Sequence, residues 1–174
     1  MTAPRLSLIL GGARSGKSRF ALGRAEASGL TAVYVATAQA YDDEMRERIR
    51  LHQAERQGMA TVEAPIDLAG AITAEGRPGR LLLVDCLTLW LSNVMLAGRD
   101  VGTDCDGIAA ALAGCACPVV AVSNEVGLGI VPDNALARRF RDAQGRLNQQ
   151  IAALADEVVF VAAGLPLYLK PYAR

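Results

Sequence analysis

The chain has 174 residues, 52% of them hydrophobic and 21% charged, which is enough for one domain with a real core spanning residues 1–174. Its 18 basic and 18 acidic side chains cancel and only 5% of residues are aromatic, so a surface built to grip a phosphate backbone or to stack bases is excluded and no nucleic-acid partner is expected. Four cysteines without a regular framework point to a reducing, cytoplasmic compartment, and a single histidine, with no second imidazole to join it, argues against a Cys/His zinc site.

Short apolar runs alternate with segments of helical period. The N-terminal run ends in two glycines and is no secretory signal. Leu6–Leu10 reads as a strand, Lys17–Ser28 as a helix closed by Gly29, and the β-branched Thr31–Ala36 as a second strand. Asp42–Gln57 is charged and helical, acids first and bases later, as the helix dipole prefers. A short extended piece over Thr61–Glu63 precedes Pro65, and a helix is expected over Asp67–Ala74. Leu81–Asp85 is an apolar run ending in an acid, the pattern of a central parallel strand, and Leu87–Leu96 continues as a helix.

Gly98–Gly107 is rich in breakers and reads as a loop, followed by a helix over Ile108–Ala113 and a buried strand over Val119–Ser123. The uncharged stretch from Gly107 to Asn124 contains Gly114 and Pro118, so it is a helix followed by a strand and not a membrane span. A long amphipathic helix follows over Ala135–Ala155, then a last strand over Val158–Ala162. This alternation predicts an α/β fold, an open and mainly parallel sheet with helices on both faces.

The strongest chemical signal is Gly11-Gly12-Ala13-Arg14-Ser15-Gly16-Lys17-Ser18, which fits G-x-x-x-x-G-K-[ST] between a strand and a helix. The glycines let backbone N–H groups point into a tight loop, and the helix N-terminus adds positive potential. Lys17 would reach the β- and γ-phosphates of a nucleoside triphosphate, and the Ser18 hydroxyl would hold Mg²⁺. Asp85 closes its strand where the metal-side acid is expected, although a carboxylate there also caps the following helix. No N-K-x-D base-reading motif is present, and Asp104-Cys105-Asp106-Gly107 matches D-x-x-G only in what reads as a polar loop. The general class is an NTP-dependent small-molecule kinase.

His52 would stand one helical turn from both Arg48 and Arg56. Two guanidiniums disfavour its protonation and leave a neutral, nucleophilic imidazole suited to attack on an α-phosphate. Helix periodicity by itself favours a solvated histidine on a charged face.

Four separate segments, GGARSGKS (Gly11–Ser18), VATAQAYDDEM with RIRLH (Val35–His52), LVDCLTLWLSN (Leu83–Asn93) and SNEVGLGIVPDNALARRFRDAQGRLNQ (Ser123–Gln149), resemble the bifunctional adenosylcobinamide kinase / adenosylcobinamide-phosphate guanylyltransferase family of cobalamin synthesis. The resemblance implies two reactions. ATP or GTP phosphorylates the aminopropanol hydroxyl of adenosylcobinamide. GTP then guanylylates His52, and adenosylcobinamide phosphate takes the GMP to give adenosyl-GDP-cobinamide. A kinase-only enzyme with a bystander His52, or a non-catalytic nucleotide-binding module, would share the P-loop.

The same resemblance implies nucleotide contacts for Ala36, Thr37 and Ala38 at the end of the second strand, where a capping threonine is the plainer reading. It also implies contacts for Gln53, Ala54, Glu55 and Arg56, of which Arg56 has an evident partner in phosphate. Glu63 matches a guanine-contacting position, since a carboxylate accepts from both N1–H and the 2-amino group; it also reads as a solvated acid after a strand. Asp85 matches a nucleotide- or Mg²⁺-contacting acid. Glu125 reads either as a second acid near the phosphates or as an orienter of its loop. Cys115 and Cys117 read as small packing residues. A corrinoid is too large for a domain of this size to enclose, so an open groove or subunit interface and a homo-oligomer are expected; the resemblance implies a trimer.

Overall fold

Runs of consecutive apolar residues make strands that can be buried on both faces, and that is how the centre of this protein is built. A computed structural model of the chain describes residues 4–39 and 58–171. Its strands are β1 (Leu6–Gly11), β2 (Thr31–Ala36), β3 (Ala60–Glu63), β4 (Arg80–Asp85), β5 (Val119–Asn124), β6 (Glu157–Ala162) and β7 (Leu165–Lys170). The described helices are α1 (Lys17–Ala27), α2 (Leu68–Glu75), α3 (Leu87–Leu96), α4 (Val101–Gly114) and α5 (Ala135–Leu154). The helix expected over Asp42–Gln57 lies outside the described residues.

The strands form one sheet in the order β3-β2-β4-β5-β1-β6-β7, parallel except for the antiparallel β6–β7 pair. Alternate residues feed two separate cores. Ile9, Leu81, Leu83, Val120 and Val122 pack beneath α1 through Ala21 and Ala25. Leu8, Leu10, Leu82, Val84 and Ala121 pack on the other face against α2, α3, α4 and α5. Trp90 fills the second core, and its indole N–H donates to the Ile66 carbonyl at 2.8 Å. The expected α/β architecture with helices on both faces is present.

Two expectations are corrected. The segment Gly98–Gly107 is not a loop: from Val101 it is the first half of α4, which runs on through the helix expected over Ile108–Ala113. Asp100 caps it by accepting from Thr103 N–H at 2.7 Å, and Cys105, Ile108, Ala109 and Leu112 form a buried stripe that outweighs the glycine content. Asp104 of the D-x-x-G match therefore lies on a helix, paired with Arg99 at 2.7 Å. Strand β7 was not expected; it follows β6 through a two-residue turn, Ala163-Gly164, in which both residues have positive φ.

Helix α1 is tied to the sheet by charge as well as packing. Glu157, 5% exposed, accepts from Arg24 at 2.5 Å and from the Ser7 hydroxyl at 3.1 Å. Removing the guanidinium strands a buried carboxylate. Arg24→Ala is expected to cost about 3 kcal/mol, seen as a fall of roughly 6–12 °C in Tm by calorimetry. The double variant Arg24→Ala/Glu157→Gln should recover part of that fall.

Candidate active site

In a parallel sheet the carboxyl ends of the strands share one edge, and ligands bind beyond it. Here Ala36 is in register with both Glu63 and Asp85, and Gly11 with Asn124. The sheet order thus runs Glu63, Ala36, Asp85, Asn124, Gly11 along that edge. At about 4.8 Å per strand, Asp85 stands about 10 Å and Glu63 about 19 Å along the edge from the loop that follows β1.

That loop is shaped by exclusion. A Cβ on Gly11 would lie 2.5 Å from the Ser15 hydroxyl oxygen and 2.5 Å from the Val161 carbonyl oxygen, so the β1–β6 pair leaves no space for a side chain. Gly16 has φ +93° and Arg14 φ 57°, which turn the chain back on itself between exposed Ala13 and the helix. The backbone is held on two sides. Glu125 N–H donates to the Gly11 carbonyl at 3.1 Å, and Gly164 N–H, from the β6–β7 turn, donates to the Ser15 carbonyl at 2.8 Å. Lys17, 9% exposed, folds over the loop and donates from Nζ to the Gly12 carbonyl at 3.2 Å. No acidic residue occupies the first turn of α1, so its N-terminal field is open to an anion.

Ser18 lies in that first turn, and among the described residues its hydroxyl has no protein partner. Asp85 accepts from the Tyr34 hydroxyl at 3.0 Å through Oδ2. A serine hydroxyl and one carboxylate are the usual protein share of a Mg²⁺ site completed by phosphate and water, and this pair fits it. The described residues include no cluster of three or more His, Cys, Asp or Glu side chains able to hold a metal by themselves.

Thr37 is fully buried, and its hydroxyl is already engaged. It donates to the Cys86 carbonyl at 2.7 Å and accepts from Cys86 N–H at 2.8 Å, while Asn93 donates to its carbonyl at 2.8 Å. Thr37 therefore locks the end of β2 to the segment after Asp85; Ala36 and Ala38 flank it, half-buried. Glu63 is exposed at the sheet's edge strand. His52, Gln53, Ala54, Glu55 and Arg56 lie outside the described residues.

One element of the site was missed in the sequence. The end of β5 is clamped by helix side chains: Asn124 N–H donates to Thr88 Oγ1 at 2.7 Å, and Asn148 Nδ2 donates to the Asn124 carbonyl at 3.0 Å. Beneath it the Ser123 hydroxyl donates to Asn148 Oδ1 at 2.7 Å and accepts from Gln144 Nε2 at 2.9 Å. The signal available was a polar pair closing an apolar strand, together with Gln144 and Asn148 one turn apart on α5. Glu125, next along, accepts from Gly127 N–H at 2.6 Å, which orients the start of its loop. A cavity of about 220 Å³ lies elsewhere, between α2 and α4, lined by Ile72, Gly76, Ala111 and Cys115.

An open, mainly parallel sheet with a glycine loop closed by a buried lysine at the end of an interior strand defines a P-loop nucleotide-binding protein. Solved structures share that fold: an ATPase domain (TM-score 0.51, 12% identity, 90% of this chain and 68% of that one), and an ATPase from the type III secretion system of pathogenic bacteria (TM-score 0.53, 12% identity, 94% and 56%). The chain belongs to the cobinamide kinase / cobinamide phosphate guanyltransferase family, whose match covers residues 7–169. It is 49% identical over 168 residues to the bifunctional adenosylcobalamin biosynthesis protein CobP of Pseudomonas aeruginosa, covering 94% of this chain and 96% of that protein. It is 40% identical over 182 residues to the bifunctional protein CobU of Salmonella typhimurium, covering 94% and 98%. The protein is accordingly an enzyme of this kinase and guanyltransferase class.

The loop geometry separates two neighbouring glycines. Gly11→Ala must displace Ser15 or the β6 backbone, so nucleotide affinity measured by calorimetry should fall at least about tenfold, with a lower Tm. Gly12→Ala, whose Cβ meets nothing within 4 Å, should leave Tm unchanged. The four cysteines are all buried and free. Burial, with Asp85 adding to it, pushes the Cys86 thiol up to about 11, and burial pushes Cys105 to about 11. Burial and the neighbouring Cys115 take Cys117 to about 12. Thiolates are the reactive form, so a disulfide reagent at pH 8 should titrate the native protein slowly and release four equivalents at once on unfolding.

Proposed function

We propose that the strand-end edge binds a nucleoside triphosphate and performs two transfers on a corrinoid. In the first, the aminopropanol hydroxyl of adenosylcobinamide attacks the γ-phosphorus of ATP or GTP. The new O–P bond forms as the bond to the β,γ-bridging oxygen breaks; the nucleoside diphosphate leaves, and the hydroxyl proton passes to the transferred phosphoryl group. Loop N–H groups, Lys17 and the α1 N-terminus neutralise charge spread over the phosphates. Ser18 and Asp85 would hold Mg²⁺, which when bound neutralises and orients the β- and γ-oxygens. The single observation that carries this reading is Lys17 folded over a loop with no room at Gly11, in a chain of this family.

In the second transfer the His52 imidazole attacks the α-phosphorus of GTP. An N–P bond forms, the α,β-bridging P–O bond breaks and pyrophosphate leaves. A phosphate oxygen of adenosylcobinamide phosphate then attacks the same phosphorus, and the imidazole is released. The wide spacing between the loop and Glu63 supports a nucleotide laid across the strand ends with its guanine toward that carboxylate. Residues 1–174 act as one unit, cytoplasmic and assembled as a homo-oligomer, with a trimer our preferred state.

Incubation with Mg²⁺ and GTP labelled on its α-phosphate, followed by denaturation, tests the covalent step. Acid-labile, alkali-stable label approaching about one per chain is expected in the native protein and none in His52→Ala. No label in a folded, GTP-binding sample would leave a kinase-only enzyme.

A further inference from the structure

We propose that Asn124 touches the reacting groups in the phosphorylation step, its carboxamide accepting a hydrogen bond from the attacking substrate hydroxyl and donating one to the γ-phosphate. The inference rests on the reading that a triphosphate occupies the loop, and it adds a residue which that reading does not contain.

Three observations converge. First, Asn124 Oδ1 is buried without any hydrogen-bond partner. A buried polar atom is ordinarily satisfied, so one left open calls for an explanation. Second, the residue is held by everything except that side chain. Its N–H goes to Thr88 and its carbonyl to Asn148, from two different helices, and the next N–H goes to Gly11. Main-chain bonds fasten this strand end while none engages the amide, so the amide is placed without being consumed. Third, its position is opposite Gly11, at the mouth of the phosphate loop. Ser15 Oγ, a second buried oxygen without a partner, lies where a Cβ on Gly11 would come within 2.5 Å of it. Of the three unsatisfied buried side-chain atoms among the described residues, one thus lies beside Gly11 and another belongs to the residue paired with Gly11 across the sheet.

The chemistry of the orphan narrows what it meets. A carbonyl oxygen needs a donor, and the triphosphate tail offers none when ionised. The alcohol that attacks it does carry one. The amide nitrogen, without a protein partner among the described residues, supplies a donor for a γ-phosphate oxygen; turning the amide over merely exchanges the two atoms. One planar group then spans nucleophile and electrophile, holding the O–H···P approach that phosphoryl transfer requires. The bonds made and broken are those of the transfer above, and Asn124 itself gains and loses no proton overall.

A structural asparagine and a catalytic one respond oppositely to truncation. For Asn124→Ala we expect kcat for cobinamide phosphorylation to fall about a hundredfold, with the nucleotide Kd within about threefold of the parent and Tm equal or higher, because an unsatisfied polar atom has been removed. Asn124→Asp keeps the shape, loses the donor and sets a negative charge against the γ-phosphate. It should weaken triphosphate binding at least about tenfold while leaving GMP binding little changed, and it answers the question if the alanine variant does not fold. An unchanged kcat in a folded Asn124→Ala, or triphosphate binding unchanged in Asn124→Asp, overturns the proposal. If the unmodified protein binds triphosphate yet fails to phosphorylate cobinamide, the underlying functional reading fails with it.

Discussion

The absence of space at Gly11 is the constraint on which the site depends. Strand β1 is pinned between β5 and β6, and the β6 carbonyl at Val161 stands where a Cβ would go. The chain can only leave the sheet as bare backbone, and bare backbone presents N–H groups to whatever sits in the turn. The same pinning explains the unexpected hairpin. The Ala163-Gly164 turn places an N–H on the Ser15 carbonyl, and Gly164 lies against Gly16, so β7 completes the sheet with a turn that braces the phosphate loop. A device that must hold several like charges in one place gains from a floor that cannot deform.

Sheet order does the rest. Because β5 lies between β4 and β1, the acid that ends β4 stands two strand spacings, about 10 Å along the edge, from the loop. That gap is where phosphates and a metal would fit, and its floor is the end of β5. The buried cluster of Thr88, Ser123, Gln144 and Asn148 keeps that floor rigid in a region where sheet hydrogen bonding is running out. On the far side Thr37 performs the same service for the end of β4, clasping Cys86 through both its donor and its acceptor. Polar groups inside this protein are concentrated behind the strand ends, where main-chain position matters more than the energy each bond contributes.

How much of this was legible in the sequence follows from the range of each interaction. The phosphate loop was, since its parts are contiguous and its function depends on backbone conformation. The strands were, because LSLIL, LLLVD and VVAV are buried on both faces and leave no competing pattern. The first half of helix α4 was not, because glycine and aspartate masked a cap at Asp100 and the start of a buried stripe from Cys105 to Leu112. Strand β7 was not, because every residue in it is exposed and it is held by a turn and a neighbour. The clamp on Asn124 was least visible, since it joins residues 88, 124 and 148, which nothing local relates.

The two transfers ask different things of one edge. In the proposed reading, phosphorylation needs the γ-phosphate at the loop beside β5, whereas guanylylation through His52 would need the α-phosphate presented to that side chain. An edge ordered Glu63, Ala36, Asp85, Asn124, Gly11 would serve both without a second domain, since a nucleotide laid along it as proposed would have its terminal phosphate at one end and its base at the other. The end that would take the γ-phosphate is the rigid one, because the loop and the clamp on β5 both fix main-chain atoms there. If histidine chemistry shares that edge, the phosphate loop is not what adjusts between the two reactions, because its geometry at Gly11 has no room to change.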